Sequence, residues 1–200
     1  MHTVTLGDTS YRINTIYCIG RSYVEHIHEL GNAVPDEPLV FLKPNSSIVT
    51  GDTITLPDYS DNVHHETELV LLIGEDKQIV AATVGLDLTA RDVQSICKDK
   101  GLAWLKAKGF KNACWLGDFM PFEDKTYHLT LSVNGEMRQD DTTDKMMYSF
   151  DYLVNYLDEL YGLQEGDIIM TGTPKGVDKL AHEDKLTIKL DHSTYQVSVK

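Results

Sequence analysis

Glu66 and Glu68 stand two residues apart in His64-His65-Glu66-Thr67-Glu68, directly before the apolar run Leu69-Val70-Leu71-Leu72-Ile73-Gly74. At the start of a strand, that spacing sends both side chains from the same face. Two adjacent carboxylates repel unless something positive lies between them, and a hard divalent cation such as Mg²⁺ or Ca²⁺ prefers oxygen ligands. Asp87, nineteen residues after Glu68, is placed to add a third ligand from the next strand end. On an arbitrary surface strand a Glu-x-Glu pair is a solvated face. Here the run that follows should be buried, which makes idle carboxylates costly.

A second pair is His26 and Glu29, three apart in Ser22-Tyr23-Val24-Glu25-His26-Ile27-His28-Glu29 and so on one helix face. A carboxylate beside an imidazole raises its basicity and fixes its tautomer, which suits a general base. An ordinary exposed helix pair has the same spacing. Lys43 ends the apolar stretch Leu39-Val40-Phe41-Leu42 and is either solvated or holding an anion. Lys106 and Lys108 bring two positive charges close to the acidic stretch, one to point at it and one to be solvated. Arg91 and Asp92 read as a structural ion pair. The loop Thr171-Gly172-Thr173-Pro174-Lys175-Gly176 offers backbone N–H groups and two hydroxyls, which suit a carboxylate, or it is a plain turn.

Several elements must position these groups. Residues 1–14 read as a short strand pair turning at Gly7-Asp8, and 13–20 as a strand ending at Gly20. Ser22 and Glu25 form a capping box opening a helix that stops at Gly31-Asn32. Residues 39–43 read as a buried strand, 78–86 as another, and 89–100 as a helix ended by Gly101. A helical turn is expected near Trp104 to Lys108. Asn134-Gly135 is a hairpin signal between strands 126–133 and 136–139. Met146, Met147, Phe150, Leu153, Val154, Leu157 and Leu160 trace a helical stripe over 144–161 that reads as core packing. Ile168-Ile169-Met170 reads as a buried strand, and the tail as two strands across Asp191-His192.

Two hundred residues suit one domain, residues 1–200, with 1–15 as a short N-terminal strand extension. A net charge of -13, from 18 basic and 31 acidic residues, argues against nucleic acid or an anionic membrane as partner. Small anionic substrates are not excluded, because local charge decides their binding. No apolar run reaches 18 residues, and the first residues lack a basic region followed by an apolar one. Cys18, Cys97 and Cys114 are too few and too far apart for a disulfide framework or zinc site. The expected location is the cytoplasm.

In order along the chain, these pieces resemble the fumarylacetoacetate hydrolase family, and most closely its short acylpyruvate hydrolase branch. The resemblance rests on Gly20-Arg21-Ser22-Tyr23 with His26 and Glu29, Phe41-Leu42-Lys43-Pro44, and His64-His65-Glu66-Thr67-Glu68. It continues through Asp87-Leu88-Thr89-Ala90-Arg91-Asp92-Val93-Gln94, Ala107-Lys108, Val133-Asn134-Gly135-Glu136, Gly166-Asp167-Ile168-Ile169 and Thr171–Val177. It implies an α+β, mainly β fold of mixed β-sheets rolled around the site, with a few peripheral helices. It implies Mg²⁺ or Mn²⁺ held by Glu66, Glu68 and Asp87. It further implies that His26 and Glu29 are a water-activating dyad on a short mobile helix, Lys108 an active-site lysine, and Arg91, Gln94 and Thr173 substrate contacts. A homodimer is implied too. Three departures stand out: Ser22 replaces a usual Asn, the segment from Gly74 to Asp87 is shorter and lacks a usual helix, and Trp115 replaces a usual proline.

The leading expectation is hydrolysis of the C–C bond of a 3-acylpyruvate, such as fumarylpyruvate or acetylpyruvate, to pyruvate and a carboxylic acid. Oxaloacetate decarboxylation and keto–enol isomerisation use the same site and stand as alternatives, since a fold does not choose among them. A non-catalytic binding protein braced by a divalent ion is the alternative of another class.

Overall fold

The computed structural model describes residues 2–31, 33–49 and 51–200. The chain opens with strands β1 (Thr3–Leu6) and β2 (Thr9–Arg12), a separate antiparallel pair turning at Gly7-Asp8. Next come β3 (Ile16–Gly20), helix α1 (Val24–Glu29), β4 (Leu39–Lys43), β5 (Thr53–Ile54) and β6 (Val63–His64). The long hairpin β7 (Thr67–Ile73) and β8 (Ile79–Asp87) follows, then β9 (Thr89–Ala90), α2 (Arg91–Asp99) and α3 (Leu105–Lys108). The second half carries β10 (Cys114–Leu116), β11 (Met120–Pro121), β12 (His128–Val133), β13 (Glu136–Thr142), α4 (Phe150–Tyr161), β14 (Ile168–Met170), β15 (Lys185–Leu190) and β16 (Ser193–Val199). No helix among the described residues is long and apolar enough to cross a membrane.

A seven-stranded mixed sheet runs β10-β8-β7-β14-β3-β4, with β11 also on β8, and a five-stranded sheet runs β13-β12-β15-β16-β5. The pairs β14–β3 and β16–β5 are parallel and the remaining pairs antiparallel. Strand β7 is buried along its whole length because it packs on both faces. Leu69, Leu71 and Ile73 face the main core, with Leu129, Leu131, Leu186, Ile188, and Leu153 and Leu157 of α4. Val70 and Leu72 face a second core with Ile16, Cys18, Ile168 and Met170. A strand buried on both sides reads as an unbroken apolar run rather than an alternating one. Glu66 and Glu68 share the parity of Val70 and Leu72, so they extend the second face toward one edge.

The turn Gly74 to Gln78 closes β7 directly onto β8, and past one register shift at Leu72/Ile73 the pairing runs regularly from Leu72–Ala81 to Thr67–Leu86, next to Asp87. Its N–H donates to the Glu66 carbonyl at 2.8 Å, which puts the two carboxylates opposite each other. Asn134 and Gly135 both have positive φ, 52° and 83°, as the β12–β13 hairpin requires. The return strand β13 continues to Thr142, beyond the expected Gln139.

Several expectations are corrected. The capping box fails: α1 takes Tyr23 as N-cap with no side-chain cap bond, and Glu25 pairs instead with Lys175 at 2.8 Å. Gly31 has φ 64° as a helix stop should, while Asn32 lies outside the described residues. The first sheet strand begins at Ile16, and the helix expected over 89–100 begins at Arg91, because Thr89 and Ala90 pair with β6. Helix α4 begins at Phe150, capped by Ser149 Oγ accepting the Tyr152 N–H at 3.2 Å. Met146 and Met147 therefore precede the helix, and Leu160 is exposed rather than core. Strand β4 is an edge strand with Leu42 exposed, not a buried one.

Candidate active site

Carboxylate oxygens of Glu66, Glu68 and Asp87 gather within 4.8 Å of one another, all three side chains buried. The hairpin register accounts for this: Glu68 in β7 and Glu66 just before it share one face, and Asp87 ends the paired strand opposite Glu66. Like charges facing across a strand pair destabilise a sheet unless a cation intervenes. Lys108 Nζ lies 2.7 Å from both Glu66 Oε2 and Asp87 Oδ2, and Lys43 Nζ lies 2.7 Å from Asp87 Oδ1. Arg91 Nη2 holds the other oxygen of Glu66. Lys43 is only 2% exposed, and its ammonium also reaches the carbonyls of Leu88 and Lys108. The anion it holds is thus the chain's own Asp87.

Glu68 differs from its two neighbours. Its Oε2 accepts the Gly172 N–H at 2.8 Å, and no lysine or arginine pairs with it among the described residues. Burial, then the charges of Asp87 and Glu66, push its carboxyl well above the usual range. Burial would push Glu66 up as well, but the charges of Lys108 and Arg91 hold it below that range. Lys108 is raised: burial opposes its charge, and Asp87 and Glu66 outweigh burial. Three clustered oxygen donors, one of them lacking a cation, fit a hard divalent ion.

The 171–176 loop does bind carboxylates, and they belong to this chain. Gly172 holds Glu68, and the Gly176 N–H donates to Glu29 Oε1 at 2.9 Å. Both glycines are required. Gly172 has φ 99°, and a Cβ there would meet Ser22 Cβ at 2.5 Å. Gly176 has φ 96°, and a Cβ there would lie 1.9 Å from the Arg138 carbonyl oxygen. The other oxygen of Glu29 lies 2.9 Å from His26 Nδ1. His26 is buried and lines a cavity of about 40 Å³ with Glu66, Glu68, Asp87, Arg91, Gln94 and Lys108.

Arg91 does not pair with Asp92. It donates to Glu66, and to Gln94 Oε1 at 2.8 Å, while its Nε is buried without a partner. Asp92 turns away and accepts the Ser60 hydroxyl at 2.6 Å. Of the two lysines in α3, Lys108 enters the site and Lys106 lies over the exposed Tyr59 ring. Thr173 lines the cavity, but its hydroxyl donates to the Thr67 carbonyl at 2.9 Å and accepts from Gln139 at 2.8 Å.

Gln139 escaped the sequence reading. Its Oε1 accepts from the Thr67 N–H at 3.1 Å and lies 3.0 Å from His65 Nδ1; its Nε2 donates to Thr173 Oγ1 and the Pro174 carbonyl. One buried amide thereby ties the carboxylate strand to the loop holding Glu29 and Glu68. It sits in a polar return strand with no pattern to mark it. Lys43 did have a signal, a cation closing an apolar strand.

This fold is that of an enzyme family, and the sequence comparison names it. Residues 15–199 match the family description "Fumarylacetoacetate (FAA) hydrolase C-terminal", and the chain belongs to that family. The mitochondrial oxaloacetate tautomerase of Bos taurus is 40% identical over 186 residues, covering 86% of this chain and 84% of that one. An oxaloacetate tautomerase of Escherichia coli (strain K12) is 40% identical over 197 residues, 90% of each chain. The crystal structure of fumarylpyruvate hydrolase from Pseudomonas aeruginosa, in complex with Mn²⁺ and pyruvate, superposes with a TM-score of 0.93 at 28% identity, covering 99% and 95% of the two chains.

Proposed function

We propose that this protein catalyses keto–enol tautomerisation of oxaloacetate. One observation carries the reading. The imidazole of His26 and the ammonium of Lys108 line one small cavity that also holds the three carboxylates. An acid and a base on one short 2-oxo acid are what proton transfer between C3 and the C2 oxygen requires. The 40% identity to two oxaloacetate tautomerases supports the same choice. Mg²⁺ or Mn²⁺, held by Glu66, Glu68 and Asp87, supplies Lewis-acid polarisation of the 2-oxo group when bound.

The chain's own residues do the rest. Glu29 accepts from His26 Nδ1, which leaves the Nε2 lone pair as the base for a C3 proton. Gly176 fixes the far oxygen of Glu29, so the pair keeps its orientation. Lys108 offers N–H to the C2 oxygen as charge develops there and returns a proton to it. Arg91, with its unpartnered buried Nε, and Gln94, whose amide oxygen is already occupied, present donors to the C1 carboxylate. Thr173 acts through the loop rather than by donating to substrate, since its proton is committed. The protein works as a homodimer in this reading, a second copy covering the apolar groove of Leu42, Leu102 and Leu105 beside the exposed sheet edge.

Hydrolysis of a short 3-acylpyruvate is the second reading, favoured by the His26–Glu29 pair, which equally suits taking a proton from water. The test follows the ultraviolet enol band of oxaloacetate, and separately of acetylpyruvate, with enzyme and Mg²⁺ and then with chelator. Metal-dependent acceleration of oxaloacetate keto–enol exchange without loss of total oxaloacetate is the expected result. Exchange at the buffer rate, with acetylpyruvate cleaved to stoichiometric pyruvate, would overturn it in favour of the hydrolase. Inactivity on both would leave a metal-braced binding protein.

A further inference from the structure

Helix α2 presents Arg91, Gln94 and Lys98 at i, i+3 and i+7, a single face, and all three line the cavity. The inner two are committed: Arg91 holds Glu66, and Gln94 accepts from Arg91. Lys98 has no carboxylate partner among the described residues. Its ammonium lies 5.4 Å from the centroid of Trp104, whose ring is 5.9 Å from that of Phe41; Lys108 Nζ lies 4.8 Å from Phe41 on the inner side. The cavity wall is therefore an aromatic pair with an ammonium at each end. The inner ammonium is neutralised by Glu66 and Asp87, and the outer one, on an exposed residue, is not. Arg21 lines the same cavity in a left-handed backbone conformation, φ 60°, adding a further positive group.

The same walls carry three carboxylates, but Glu66 and Asp87 are taken up by Lys108, Arg91 and Lys43 and Glu68 by the Gly172 N–H, which leaves Lys98 without a carboxylate among the described residues. Partial burial, then the charges of Arg91, Arg21 and Lys108, lower the pKa of Lys98, with Glu66 acting against them. Crowded cations of this kind are relieved by an anion. Along the helix axis Lys98 lies about 6 Å beyond Gln94. That rise suits a short diacid with one end at Arg91 and Gln94 and the other at Lys98.

We propose that Lys98 is the specificity-determining residue of the site, selecting 2-oxo acids that carry a second carboxylate by pairing with that carboxylate at the cavity mouth. The inference rests on the proposed action on a small 2-oxo acid and adds the residue that recognises its second carboxylate. It does not require the tautomerase chemistry.

Oxaloacetate and 2-oxobutanoate share four carbons and differ by the second carboxylate, so they isolate it. Dissociation constants of both are measured by calorimetric titration on the full chain with Mg²⁺, in wild type, Lys98→Met and Lys98→Arg. Methionine keeps an apolar stem against Trp104 and removes the charge. Wild type should bind oxaloacetate more tightly than 2-oxobutanoate. Lys98→Met should weaken oxaloacetate roughly tenfold, the size of one charge-assisted hydrogen bond, and leave 2-oxobutanoate within about twofold. Lys98→Arg should restore most of the difference. Equal weakening of both acids, or no change in either, overturns the proposal, as does a wild type that does not discriminate. Because the readout is binding, a protein that prefers the diacid yet fails to speed its keto–enol exchange sinks the proposed function and leaves this inference standing.

Discussion

The floor and the wall of the cavity are built differently. The floor is the β7–β8 hairpin with the 171–176 loop. Its carboxylates are buried, and Lys43, Lys108, Arg91, Gly172 and Gln139 interlock there through partners 21 to 104 residues apart in sequence. The wall facing it is α1, six residues long, with no side-chain cap, and its side-chain ties to the floor are two, Gly176 to Glu29 and Lys175 to the exposed Glu25. A group that must hold charge in fixed geometry belongs where the backbone cannot give. A base that must approach and leave a substrate can ride on a short helix, whose stability comes from packing rather than length. In the proposed reading the charges are held on the stiff floor, and the His26 base rides on the short helix.

The sharpest way to break this contrast is to remove one carboxylate from each part of the metal-free protein. Asp87→Ala takes from the buried Lys43 its carboxylate and leaves Lys108 with Glu66 alone, and should cost about 3–5 kcal/mol of stability. Glu29→Gln, on the wall, keeps its shape and a bond to Gly176 and should cost under about 1 kcal/mol. Urea denaturation reads both. Equal losses would mean that the wall is as integral as the floor.

A smaller effect is expected at Gln139, which touches neither the cavity nor a reacting atom. Gln139→Leu removes partners from the Thr67 N–H, His65 and Thr173, and should weaken divalent-ion binding about 10–100-fold, as loss of a supporting hydrogen bond does. An unchanged affinity in the folded variant would show that the hairpin alone holds the floor.

The floor was legible in the sequence where its geometry is local. Glu66 and Glu68 follow from the period of a strand, and Asp87 from the end of its partner. Asn134-Gly135 announced its hairpin, and the three cysteines are indeed unpaired. What escaped depends on partners chosen by tertiary packing. Arg91 prefers a glutamate 25 residues back to the aspartate beside it, because the start of α2 faces β7. Gln139 serves a strand in the other sheet. Ser22 has a capping residue's chemistry, but strand pairing draws its carbonyl to the Met147 N–H and the helix starts one residue later. The apolar stripe over 144–161 was right in kind and wrong in extent, since Ser149 supplies the stronger start signal.

The measurement that tests the central division of labour most directly is a calorimetric Mg²⁺ titration of wild type, Glu68→Gln and His26→Asn at pH 6 and pH 8. Glu68 carries a raised pKa, so its proton competes with the ion as pH falls. Wild type should bind more tightly at pH 8 than at pH 6. His26→Asn should reproduce that behaviour, and Glu68→Gln should lose both the affinity and its pH dependence. Full binding by Glu68→Gln, or loss of binding in His26→Asn, would contradict the assignment of the ion to the floor and the base to the wall.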